Sequence, residues 1–265
     1  MKPMILRRAL ASAALLVSLE LGGFPGSLPL VRGEVVSNNS TPILLQAPAI
    51  EFVPPPEDED PPDTASGGTR GSCDSTNSGS AEAMAALIPE TNGGLTLKSH
   101  PTFFIVPPAS ARGILFTLRD EGDRIRYQKI VPLSEAQGAI GIDLPESEAA
   151  LEIGKTYQWF AIALCHYDPE GQQAESEVIY TLNDPWVQGW VRRVEPNAAL
   201  SHQMEREPSL ELAALYAKNG IWFDTLALLA ELRRQQPQNS AWAREWTALL
   251  NSVGLEAIAT QPLVE

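Results

Sequence analysis

The chain has 265 residues, 44% of them hydrophobic, enough to bury a substantial core. Its 33 acidic against 19 basic side chains leave a formal net charge of −14 and a pI near 4.7. That balance argues against nucleic acid or an anionic membrane surface as partner, because both are bound chiefly through Lys and Arg.

The N-terminus reads as a targeting segment. Lys2, Arg7 and Arg8 form a positive region ahead of an apolar run from Ala9 to Leu19. That run is shorter than the ~20 residues of a transmembrane helix. Residues 1–33 are therefore expected to be a signal peptide, with Val31 and Gly33 the best small-residue pair for cleavage. The mature chain would then reach the periplasm or cell surface without a transmembrane helix; an uncleaved anchor is the alternative.

Residues 34–80 read as a disordered Pro/Gly/Ser-rich linker. Pro42, Pro48, Pro54, Pro55, Pro56, Pro61 and Pro62 oppose regular structure, and the run Glu57–Asp60 is a solvated acidic stretch. Ile43 to Phe52 is the exception, apolar enough to cover a patch or edge of the folded domain. Cys73 and Cys165 are the two cysteines. An even count in an exported chain points to a disulfide, the alternative being two buried free thiols.

Residues 81–195 carry strand signals. Runs at Thr96 to Val106 (entered at Pro101), Gly113 to Arg119, Arg124 to Val131, Gly138 to Leu144, Ser176 to Leu182 and Val187 to Val194 are separated by Gly, Pro and Asp turns. In Arg124 to Val131, apolar and charged residues alternate, which marks a half-exposed strand near an edge. The organising strand is LEIGKTYQWFAIALCH, Leu151 to His166. Leu151, Gly154 and Tyr157 form a structural corner, the tyrosine hydroxyl tying back to the preceding turn. Tyr157, Trp159, Ala161, Ala163 and Cys165 share one face, while Phe160, Ile162 and Leu164 make the other face apolar too. That second face needs a cover, and the C-terminal helices are the candidates.

Residues 196–260 turn helical. One helix starts at Pro208 and Ser209 and ends at Asn219 and Gly220. A second runs from Trp222 to Gln236, and a third from about Asn239 to Val253. Leu212, Ala213, Tyr216, Gly220, Trp222 and Pro237 fall at tetratricopeptide-repeat positions, although Thr225, Leu229 and Ser209 depart from the pattern. The fold expected is α+β: an antiparallel β-sandwich of the immunoglobulin or fibronectin type III kind, with a short tetratricopeptide-like tail packed on it. About one and a half repeats cannot bury their own faces, which is why the tail should pack.

Several of these segments together resemble a known family. They are Gly68 to Cys73, Gly94-Leu95-Thr96, Pro101 to Phe104, Leu115 to Asp120, Leu151 to Trp159, Gly189 to Val194, Leu215 to Asp224 and Leu255 to Ala259. In this order they are similar to the cyanobacterial domain-of-unknown-function family nine-two-eight, over about residues 67–259. The resemblance implies an exported protein and leaves its activity open. Many members of that family carry Asp-Pro and a short basic stretch right after the second cysteine, whereas here Cys165-His166-Tyr167-Asp168-Pro169 is followed by Glu170-Gly171-Gln172-Gln173, so no role is assigned to that loop.

Catalytic patterns are weak. His100, His166 and His202 lack metal-ligand spacing, and His166 beside Cys165 would need a free thiolate. The serines Ser72, Ser75, Ser78 and Ser80 sit in no nucleophile elbow. Asp120, Glu121 and Asp123, or Asp168 and Glu170, read as polar turns rather than calcium loops. No catalytic residue, cofactor or metal is therefore assigned. Tyr216, Trp222, Phe223, Trp242 and Trp246 either seal the tail or leave an interaction patch. The function expected is a non-catalytic cell-envelope binding or assembly module whose partner is an envelope or secreted protein. An envelope hydrolase and a carbohydrate-binding sandwich are the alternatives.

Overall fold

The structure is a computed structural model that describes residues 50–56, 73, 84–134, 137–167, 180–181, 183–204 and 207–264. All of them lie in one compact unit, Gln46–Glu265. The expected signal peptide, most of the linker and nearly all of the expected strand Ser176 to Leu182 fall outside these residues, as do Asp168 and Glu170.

The described strands are β1 (Ala85–Ala86), β2 (Gly93–Thr96), β3 (Thr102–Val106), β4 (Gly113–Asp120), β5 (Ile125–Pro132), β6 (Ala139–Asp143), β7 (Thr156–Leu164) and β8 (Trp186–Arg193). Helices α1 (Ala198–Met204), α2 (Leu210–Lys218), α3 (Trp222–Gln235) and α4 (Ser240–Asn251) follow, and β9 (Leu263–Val264) comes last. The strands form two open sheets, ordered β1-β3-β6-β9 and β2-β8-β7-β4-β5. The architecture is thus mixed α+β.

The sheets are not wholly antiparallel, which corrects the expectation. β2 pairs with β8 in parallel, and β6 with β9 likewise. Parallel neighbours need a long connection between them. Both pairs have one: β8 returns to β2 after the rest of the sheet is laid down, and β9 returns to β6 after all four helices. Such pairings join residues far apart in sequence, and local turn signals do not mark them.

The helices follow from capping chemistry. Ser209 caps α2, its hydroxyl accepting from the Leu212 N–H at 3.2 Å, and Asn239 caps α4 by accepting from the Ala241 N–H at 3.1 Å. α1 was not expected; Asn197 starts it by accepting from the Leu200 N–H at 3.0 Å.

Phe103 on β3 is the point where the layers meet. Its fully buried ring lies 5.0 Å from Phe116 on β4, 5.6 Å from Trp159 on β7 and 5.3 Å from Phe223 on α3. One ring therefore touches both sheets and a helix, and strand and helix residues share one hydrophobic core. Ile50 and Phe52, in the stretch read as linker, are buried there. They are pinned by Ile50 N–H to Glu245 Oε2 at 3.2 Å and Val53 N–H to the Ala217 carbonyl at 3.1 Å.

The tail does not cover the Phe160 face of β7 as its apolar residues suggested. Helix α3 packs on β2 and β3 instead. It can approach β2 because Gly94 has no side chain: a Cβ there would lie 2.5 Å from Cβ of Trp222. Phe160 and Ile162 stay half-buried, with the Arg119 guanidinium 5.0 Å above the Phe160 ring. A cation on an aromatic face stands there in place of a helix.

Cys73 and Cys165 form a disulfide across 92 residues of chain, with Cα atoms 5.2 Å apart. It anchors the chain preceding β1 to the end of β7. Closing a loop of this length stabilises by about 4–5 kcal/mol in the chain-entropy model. A chain with Cys73→Ser and Cys165→Ser should lose roughly that much unfolding free energy in a urea titration. An unchanged midpoint would mean that the bridge adds nothing.

Candidate functional site

The corner residues bind one another at the start of β7. The Tyr157 hydroxyl accepts from the Glu152 N–H at 3.1 Å, and Leu151 beside it is buried. Gly154 takes φ of 79°, a left-handed value that favours glycine, and its N–H donates to the Arg193 carbonyl at 2.7 Å. Arg193 in turn donates to the Leu151 carbonyl at 2.7 Å. The corner ties the start of β7 to the end of β8, and its polar groups face one another rather than a ligand.

A cleft of about 140 Å³ lies beside this corner, lined among others by Asp120, Arg124, Glu152 and Lys155. Apart from Arg126, which also lines it, its charged groups have partners. Asp120 accepts from Arg124 and from the Gly122 N–H, and the Arg124 guanidinium holds its carboxyl below the usual range. Lys155 pairs with Glu152 at 2.9 Å, and Glu121 accepts from the Thr156 N–H. Asp120 and Glu121 thus complete a turn. Among the described residues no three His, Cys, Asp or Glu side chains converge on a metal site. His100 is held by Ser99 and by the Glu148 carbonyl, while His166 neighbours a sulfur committed to the disulfide.

The five tail aromatics do not make a surface patch. Tyr216, Trp222, Phe223 and Trp246 are buried, and only Trp242 is half-exposed. The reason is their spacing: α2, α3 and α4 turn one apolar stripe each toward a shared interior. Trp222 donates its indole N–H to the Leu87 carbonyl at 2.8 Å and meets Phe52 edge-on at 4.9 Å. Trp246 meets Phe104 edge-on at 6.0 Å. Trp242 donates to Gln236 at 3.3 Å on the outside.

Asp224 has no counterpart among the site residues read from sequence. It sits in the first turn of α3, fully enclosed, and accepts from Thr96 Oγ at 2.6 Å and the Leu97 N–H at 3.1 Å. Burial pushes its pKa up against the pull of these donors. Burial also pushes the neighbouring Tyr216 phenol up to about 12, with the Asp224 charge adding to it. An acidic residue in a first helical turn was visible in the sequence; that β2 would enclose it was not.

A larger cleft, about 270 Å³, opens between the end of α3, the α3–α4 loop and β9. Arg233, Arg234, Gln236, Pro237, Pro262 and Leu263 line it. The Arg233 guanidinium lies 5.1 Å from the Trp246 ring, and its Nη1 is buried without an acceptor. Sequence reading passed over these two arginines because basic residues are ordinary in the last turn of a helix.

Four strands lie at sheet edges, β1 and β9 in one sheet and β2 and β5 in the other, and α3 packs on β2. β5 and β9 each end their sheet, with no further described strand beside them. β5 is eight residues long and exposes Ile125, Arg126, Gln128 and Lys129.

Together these features define a disulfide-bonded α+β domain with two open sheets and a helical tail sharing their core. The profile of a protein family described as Domain of Unknown Function (DUF928) matches residues 65–263. The chain belongs to that family. No curated protein and no solved structure matches the chain.

The enclosed carboxyl of Asp224 has a pH consequence. Its folded pKa lies above the unfolded value near 3.9, so its contribution to stability is greatest below that pH. The contribution is lost as pH rises through the folded pKa. Asp224→Asn keeps an oxygen able to accept from Thr96 and Leu97 but cannot ionise. The variant should therefore gain stability relative to the parent as pH is raised from 4 to 7. Unfolding midpoints that differ by a constant amount over this range would refute an enclosed, titrating carboxyl. Tyr157→Phe, which strands the Glu152 N–H, should cost about 1–3 kcal/mol by the same assay.

Proposed function

We propose that this protein is a non-catalytic binding or assembly module of the cell envelope that acts through protein–protein contacts. The observation that carries the reading is the open edge of β5. A free strand edge offers a row of backbone donors and acceptors to an extended partner. On this chain it also exposes Ile125 at 55% beside the cations Arg126 and Lys129. An exposed large apolar side chain beside unpaired backbone suits an addition partner better than solvent. Lys129 and Pro132 on the same edge discourage indiscriminate pairing, which fits a surface selected for one partner.

The envelope address rests on the positive and apolar N-terminal pattern and is supported by the disulfide, a bond that persists in oxidising compartments. The cyanobacterial origin, periplasm or cell-surface location and signal peptide belong to this same reading. So does a finer architecture: an immunoglobulin- or fibronectin-like sandwich with a degenerate tetratricopeptide-like tail. Both are architectures that commonly present protein-binding surfaces, an argument by analogy of fold.

The test is crosslinked capture from the native envelope fraction, comparing the mature chain with a variant carrying Ile125→Glu, Arg126→Glu and Lys129→Glu. These side chains are exposed, so the variant should keep its circular-dichroism spectrum and unfolding midpoint. Loss of a captured protein in the folded variant supports the reading. The same proteins captured by both chains would remove β5 as the interface, and none captured by either would redirect the search to activity on envelope polymers.

A further inference from the structure

We infer that the cleft between the end of α3 and β9 binds an extended acidic peptide, its carboxylates meeting Arg233 and Arg234 and its backbone running beside β9. The first support is charge. On a chain of net charge −14, two adjacent guanidiniums line one cleft, and neither pairs with a carboxylate among the described residues. Arg233 is half-buried, and withdrawing a guanidinium from water without an anion is costly. Its stacking on Trp246 holds the planar group in place, and the Nη1 donor is enclosed with no acceptor. Burial accordingly holds the Arg233 pKa below its usual value. A carboxylate seated in the cleft would offset that cost through charge-assisted hydrogen bonds, which Arg forms in bidentate geometry.

The second support selects a peptide among carboxylate-bearing ligands. β9 forms one wall through Leu263 and, among the described residues, pairs with β6 alone, so backbone groups of an incoming strand have an edge to meet. Pro237, Ala243 and Pro262 add small apolar walls that suit aliphatic stems of glutamate, and Gln236 and Asn239 add polar side chains able to hydrogen-bond a peptide backbone. Sugars favour exposed aromatic faces, yet none of the lining residues is aromatic, and Trp246 is buried under Arg233. The inference deepens the proposed function by naming a partner chemistry, and it rests on that reading for the partner being a protein.

The experiment is a fluorescence-anisotropy titration of the purified, disulfide-bonded mature chain with labelled hexaglutamate. Hexaglutamine and an oligogalacturonate serve as the uncharged peptide and the carboxylate polymer without a peptide backbone. Hexaglutamate should bind saturably and hexaglutamine about tenfold more weakly or less. Arg234→Gln should weaken hexaglutamate roughly tenfold, and because Arg234 is exposed the fold should survive. Lys218→Gln, exposed at the end of α2 and outside the cleft lining, should leave binding unchanged. No hexaglutamate binding, or equal binding by Arg234→Gln and the parent, overturns the inference. Equal or tighter binding of oligogalacturonate overturns the peptide assignment. If hexaglutamate fails while the β5 variant still loses a captured protein, the cleft inference alone falls and the proposed function stands.

Discussion

The first turn of α3 is the contact on which the rest of the molecule depends. Trp222 presses on Gly94 of β2 and donates to the Leu87 carbonyl, while Asp224 accepts from Thr96 and Leu97 at the other end of the same strand. Enclosing a carboxylate costs several kcal/mol unless it is hydrogen-bonded or protonated. Burying an indole of 150–250 Å² at about 25 cal/mol per Å² returns roughly 4–6 kcal/mol. The apolar term is large enough to carry the polar one, and the two donors together with the positive end of the helix reduce what it must carry. Both groups lie within three residues of chain, so one helical turn sets the position of the tail on the sheet.

From that contact the layers follow. With α3 fixed on β2, Phe223 reaches Phe103, and Phe103 joins the two sheets through Phe116 and Trp159. With α3 fixed, α4 brings Trp246 to Phe104 and Glu245 to the Ile50 N–H, which seats the segment 50–56. The corner at Tyr157 and the disulfide at Cys165 then hold opposite ends of β7. Aromatic contacts join the layers within a largely aliphatic core, and a few buried polar bonds fix where the elements meet.

The charge distribution separates structure from surface. Acidic and basic groups around the Asp120 turn and Lys155 satisfy one another. Of the cations without a carboxylate partner among the described residues, Arg126 and Lys129 lie on the β5 edge and Arg233 and Arg234 line the α3–β9 cleft. Both places also expose strand backbone. Unmatched charge beside a sheet edge is the ground on which binding is proposed for the two surfaces, in a molecule whose enclosed aromatics serve its core.

Sequence alone determined the elements whose signals are local. The alternation in β5 and β7, the caps Ser209 and Asn239, the stops at Gly220 and Pro237, and the corner Leu151-x-x-Gly154-x-x-Tyr157 each depend on neighbours within a few residues. The two-residue strands β1 and β9 were too short to leave a periodic trace. The disulfide was arguable from a count of two, because few pairings were possible. Only the tertiary structure decided that β2 and β9 enter their sheets in parallel and that Phe160 is left without a helix above it. It alone decided that Tyr216, Trp222, Phe223 and Trp246 lie inward and that Asp224 is enclosed. It also left Arg233 and Arg234 without a carboxylate partner among the described residues. Apolar periodicity shows that a side chain will be buried, but its partner is set by long-range packing, where residues 100 or more positions apart meet and no local pattern records the match.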